Sequence, residues 1–135
     1  MAKKRDWIFY GGLYRVIDGD TFQAEIDLGF DTIKRPIFRI SGIDTPETEG
    51  ATKQMGQIAK TYLERTLIRD TLTIASIKKD KYGGRYDAIV RIGDSDVGDR
   101  MILDGYAKAY SGKGPRPVWD HTKPYPLPEA ERGLH

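Results

Sequence analysis

Residues 13–27 alternate: Val16, Phe22, Ala24 and Ile26 stand against Gln23, Glu25 and Asp27. A period of two is the mark of a half-buried strand. Asp18-Gly19-Asp20 interrupts the run and predicts a tight turn, and residues 27–31 predict the next. Residues 33–43 form a further strand candidate, with Pro36 marking an edge or a bulge near its start. The period then changes. Over residues 52–69, Met55, Ile58, Ala59, Tyr62, Leu63, Thr66 and Leu67 recur at spacings of three and four, which predicts one helix with a single apolar stripe. Residues 71–78 are β-like, residues 79–84 a turn, and residues 85–92 alternate again with Tyr86, Ala88, Val90 and Ile92 on one face. A second helix is expected over residues 95–104, stopped by Gly105, and residues 106–110 form a short apolar segment.

Beyond Tyr110 the periodicity ends, and five of the seven prolines lie in residues 111–135. An extended tail with polyproline character, packed on the body in part, is expected there. Short strands around two helices, without a strand–helix–strand series, favour an α+β fold built on a small, strongly bent antiparallel barrel. A chain of 135 residues fits one domain, with residues 1–9 as an N-terminal arm, 10–110 as the body and 111–135 as the tail.

Composition narrows the chemistry. There is no cysteine, so thiolate zinc, disulfides and a cysteine nucleophile are excluded. His121 and His135 lie together near the end, which argues against a His-dependent triad or a multi-His metal centre. The net charge of +2 does not by itself imply a polyanionic partner. Apolar runs are too short for a membrane span or a signal-peptide core, so a cytoplasmic location is expected.

Four acids flank two predicted strand ends: Asp18 and Asp20 on one, Asp44 and Glu47 on the other. Crowded carboxylates need a cation or must hold their protons more tightly, and hard oxygen ligands select Ca²⁺, Mg²⁺ or Mn²⁺. Thr45 precedes Pro46, which biases it to extended backbone and leaves its carbonyl available as a neutral ligand. Taken singly, Asp-Gly-Asp and Thr-Pro-Glu read as turn and helix-start signals. Arg39, within apolar Ile37-Phe38-Arg39-Ile40, demands a partner. Arg85 stands at the mouth of a strand, and its fork suits phosphate, although an ion pair or a solvated strand end is the simpler reading of that residue taken alone. Lys78, Lys79, Lys81, Tyr82, Tyr110 and Lys113 add phosphate-binding charge and flat rings for stacking.

Four segments together resemble the staphylococcal nuclease-like family: Val16-Ile-Asp-Gly-Asp-Thr21, Phe38-Arg-Ile-Ser-Gly-Ile-Asp-Thr-Pro-Glu47, Asp80-Lys-Tyr-Gly-Gly-Arg85 and Gly105-Tyr-Ala-Lys-Ala-Tyr110. They occur in the family's order and span about residues 10–112; the chain looks like the short, leaderless phage and bacterial type. The resemblance implies an OB-fold, a five-stranded antiparallel β-barrel with two to three helices. It also implies a Ca²⁺-dependent phosphodiesterase acting on DNA and RNA, breaking the P–O5′ bond to leave 3′-phosphate ends. By position, Asp20, Asp44 and Thr45 match the calcium ligands, and Arg39, Glu47 and Arg85 the catalytic residues. Lys81, Tyr82 and Tyr110 match the groups that hold the terminal phosphate and the base or sugar. Gly83-Gly84 is one residue longer than in the staphylococcal enzyme, and Tyr110 aligns across a one-residue gap. A monomer without membrane or obligate protein partner is expected.

Two other readings bear on the same residues. An OB-fold can bind strands without cutting them. Asp18-Gly-Asp20-Thr21 also resembles the nucleophile motif of haloacid-dehalogenase-type phosphatases, but that fold needs a parallel sheet with crossover helices, and an alternating strand follows here at once.

Overall fold

The computed structural model describes residues 7–79 and 83–133. Five strands close into a barrel: β1 (Trp7–Asp18), β2 (Thr21–Asp27), β4 (Ile37–Ile40), β7 (Arg85–Ile92) and β6 (Leu72–Lys79). Each pairs with the next in that order, and β6 returns to β1. Closure removes the open edges that a sheet would otherwise present. β1 serves two neighbours, pairing with β6 over Trp7–Gly11 and with β2 over Gly11–Asp18. Irregular register at Leu13–Arg15 and Val16–Asp18 supplies the bend that this requires.

The α+β barrel expected from the sequence is therefore present, with one correction. The ladder between β4 and β7 is parallel, so the barrel is mixed rather than wholly antiparallel. α1 (Lys53–Leu67) lies between β4 and β7 in the chain, and a long connection of this kind lets a strand re-enter in the same direction. Two further boundaries differ. Residues 7–9, read as arm, are β1. Residues 33–43, read as one strand, divide into β3 (Ile33–Lys34), β4 and β5 (Ile43–Asp44), with breaks at Arg35-Pro36 and at Gly42, where φ is +86°.

The core follows the alternation. Phe22, Ala24 and Ile26 on β2 and Ala88 and Val90 on β7 point inward. α1 adds Met55, Ala59, Leu63 and Leu67, a row at a spacing of four. Ile58 and Tyr86, expected on the apolar faces, are instead partly open to solvent, at 43% and 38% exposure. A short strand, β8 (Ser95–Asp96), leads into α2 (Val97–Leu103), whose first turn is capped by Asp96 accepting from the Asp99 amide at 3.0 Å. β9 (Lys108–Ala109) pairs with β5, setting Lys108 opposite Asp44. No helix among the described residues is long and apolar enough to cross a membrane.

Candidate functional site

Two chain segments meet at one end of the barrel. The β1–β2 turn carries Asp18, Gly19 and Asp20, and β5 with the loop after it carries Asp44, Thr45 and Glu47. Packing holds them together. A Cβ on Gly19 would stand 2.6 Å from the Ala59 Cβ and 2.8 Å from the Thr45 Oγ1, so turn, loop and helix touch at a point only glycine can occupy. Asp18 accepts from the Thr48 hydroxyl at 3.0 Å, a second tie between the segments. The Glu47 backbone is pinned from α1 and the residue before it: its carbonyl accepts from the Thr52 hydroxyl at 3.0 Å, and a Cβ on Gly56 would run into that oxygen.

A cleft of about 790 Å³ opens above this junction. Asp20, Arg39, Thr45, Glu47, Arg85 and Tyr110, six of the residues singled out in the sequence, line it together. Asp44 lies beneath, fully buried. Lys81 and Tyr82 fall outside the described residues, whereas Lys78, Lys79 and Lys113 line the cleft as positive charge. β4 and β7 run side by side in parallel register, Ile37 opposite Arg85 and Arg39 opposite Asp87, which brings both arginines to the same wall. Tyr110 is anchored by its amide to the Gly42 carbonyl and by its hydroxyl to the Gly114 carbonyl, 2.9 and 2.8 Å.

The electrostatics are tense around Asp20. Burial pushes its carboxyl above the usual range, Arg39 and the Thr21 hydroxyl pull it down, and Asp44 and Asp18 push it up again. The Arg39 Nη2 stands 3.7 Å from the Asp20 Oδ2 while donating to the Ile43 carbonyl at 3.1 Å. The guanidinium is thus held by backbone and leans on the acid, which keeps it aimed along the cleft wall.

Residues beyond 110 contribute what local sequence patterns did not reveal. The Arg116 Nε and Nη2 donate to the Asp44 Oδ1 at 3.1 and 2.8 Å, and its Nη1 pairs with the Glu47 Oε1. The Trp119 Nε1 donates to the other Asp44 oxygen at 3.0 Å. Burial works against the charge on Arg116, but bonds to Glu47 and Asp44 outweigh it and hold the group above its ordinary pKa. The tail is strapped down by further contacts. Lys108 donates to the Val118 carbonyl at 2.7 Å and lies over the Trp119 ring. Rings of Tyr62, Tyr106, Tyr125 and Trp119 then succeed one another in contact, and the Tyr125 hydroxyl donates to the Tyr106 carbonyl at 2.7 Å. One signal in the sequence was available: Asp44 directly follows the apolar Ile43, and a carboxylate drawn into the interior beside it calls for a donor-rich partner.

The donor set fits a hard divalent cation. Asp20, Asp44 and the Thr45 carbonyl offer oxygen only, and the burial and neighbouring acids that raise the Asp20 pKa are both offset by positive charge. Among the described residues, no three His, Cys, Asp or Glu side chains form a closed cage. Such an ion would therefore rely on backbone and water as well.

Comparison with known proteins agrees with this geometry. The family model for staphylococcal nuclease homologues matches residues 37–129. An uncharacterized protein, MJ1439, of Methanocaldococcus jannaschii is 30% identical over 129 residues, covering 76% of this chain. The match spans 59% of that relative's own length.

Proposed function

Because the chain belongs to the family of staphylococcal nuclease homologues, we propose that it is a Ca²⁺-dependent nuclease that hydrolyses DNA and RNA. The observation that carries this reading is the gathering of Asp20, Arg39, Thr45, Glu47 and Arg85 around one cleft with Asp44 beneath it. Asp20, Asp44 and the Thr45 carbonyl would hold the ion. When bound, it would supply positive charge for a phosphate oxygen and lower the charge density at the acids.

The remaining chemistry belongs to the protein. A phosphodiester gains negative charge on its equatorial oxygens as water adds, so groups aimed at that charge act where it develops. Arg39 and Arg85 share one wall, and their forks suit two oxygens of the same phosphate. Glu47, with its side chain 58% exposed, reaches the solvent side of the cleft. There it orients a water and accepts its proton as the new P–O bond forms. The P–O5′ bond breaks, O5′ takes a proton from solvent, and the phosphate remains on the 3′ side. Tyr110, Lys78, Lys79 and Lys113 bind the rest of the strand through stacking and charge, and Lys81 and Tyr82 are assigned to the same task from the family pattern.

One observation favours a second reading, a barrel that binds strands without cutting them. Arg116 already engages both Asp44 and Glu47. Incubating plasmid and single-stranded DNA or RNA with the folded protein, with Ca²⁺ or with EDTA, separates the two. Calcium-dependent fragments with 3′-phosphate ends are expected. Intact nucleic acid retained equally well in EDTA would establish the binding module instead.

A further inference from the structure

We infer that Arg116 competes with the divalent cation for Asp44, so that the C-terminal strap sets the cation affinity of the cleft. The inference rests on the reading of Asp20, Asp44 and Thr45 as cation ligands. A carboxylate oxygen has two lone pairs. Those of the Asp44 Oδ1 face two N–H groups of one guanidinium, and the Oδ2 takes the Trp119 indole. A cation seated on the Oδ1 must therefore displace at least one Arg116 bond, and the two like charges repel across the short distance that remains.

The two partners differ in their freedom to move. Asp44 is fully buried on a strand, whereas the Arg116 side chain is 53% exposed and stands on an extended segment between Pro115 and Pro117. The strap is fastened on either side of it, by Tyr110 to Gly114 and by Lys108 to Val118. The side chain can swing out while the strap stays docked. Trp119 keeps its hold on the Oδ2, so Asp44 retains its orientation. Arg39 occupies its acid less directly: it stands 3.7 Å from Asp20 and donates its hydrogen bond to the Ile43 carbonyl instead.

Calcium chloride titrated calorimetrically into the 135-residue protein, without substrate, provides the test. Arg116→Gln should bind Ca²⁺ about tenfold or more tightly than the parent, and Asp44→Asn should bind it far more weakly. Parent-like or weaker affinity in Arg116→Gln, with Asp44→Asn still deficient, would overturn the competition while sparing the cation site. No binding to parent or Arg116→Gln at millimolar Ca²⁺ would remove both. If Arg116→Gln does not fold, the parent alone decides. The Arg116 Nε–H resonance, protected by Asp44, should exchange faster with solvent as Ca²⁺ is added; unchanged protection would overturn the inference.

Discussion

The base of the cleft and the strap that covers it are built on opposite principles. At the base, Asp20 and Arg39 lie on or beside strands bonded to neighbours on both sides, over a core of Phe22, Phe38 and Ile40. Over residues 111–133 no strand ladder forms; the chain is held by side chains reaching to the body and by a file of aromatic rings. A group at the base is displaced only when the barrel yields, whereas a group on the strap is released by breaking its own few bonds. Under the proposed function this is a division of labour, in which fixed groups would meet the phosphate and an exchangeable one would adjust access.

The sharpest way to break this division is at the residues proposed to act on the phosphate. Glu47→Gln and Arg39→Lys should each lower turnover by about a hundredfold or more, because each removes a positioned charge or fork; initial rates on an oligonucleotide in saturating Ca²⁺ measure it. Gly56→Ala comes next. Its methyl would collide with the Glu47 carbonyl, so unfolding in urea should show a loss of about 1–3 kcal/mol, with turnover falling as Glu47 shifts. Trp119→Phe keeps the ring in its aromatic contacts and deletes one N–H. The expected cost is about 1.5–3 kcal/mol, the range for bonds to charged groups, with turnover much less affected than by Glu47→Gln.

The smallest effect expected is alkaline loosening of the strap. Burial first, and then the charge of Tyr106, push the Tyr125 phenol above its ordinary range. A group whose folded pKa is raised stabilises the fold fully below its unfolded value and loses that contribution as pH climbs from there. Stability should therefore decline above roughly pH 10, the ordinary phenol value, and less so in Tyr125→Phe. Melting curves across that interval, with phenolate absorbance at 295 nm, would show it.

Much of the base was legible in the sequence, and for a physical reason. Alternation reports burial on one face of a strand, so Phe22, Ala24, Ile26, Ala88 and Val90 announced the core. The Asp18-Gly19-Asp20 turn and the acid-rich loop after Ile43 are local signals tied to a family pattern. What stayed hidden depends on partners distant in the chain. The parallel β4–β7 ladder has no local signature, because Ile37-Phe38-Arg39-Ile40 reads alike in either direction of pairing. Ile58 and Tyr86 sit on the right periodic stripes but near their margins, where geometry leaves them to solvent. Arg116 and Trp119 lie in an aperiodic, proline-rich stretch and are recruited by Asp44, 72 and 75 residues earlier.

Gly19 carries a consequence for how this protein can diverge. It bears no charge and takes no part in the chemistry, yet it is wedged against Thr45 and Ala59 with no room for a methyl. Even alanine there would prise the two acid-bearing segments apart while leaving Asp20, Asp44 and Glu47 chemically intact. Divergence of the chain is therefore constrained at this position, where any side chain larger than a hydrogen atom has to displace Thr45 or Ala59.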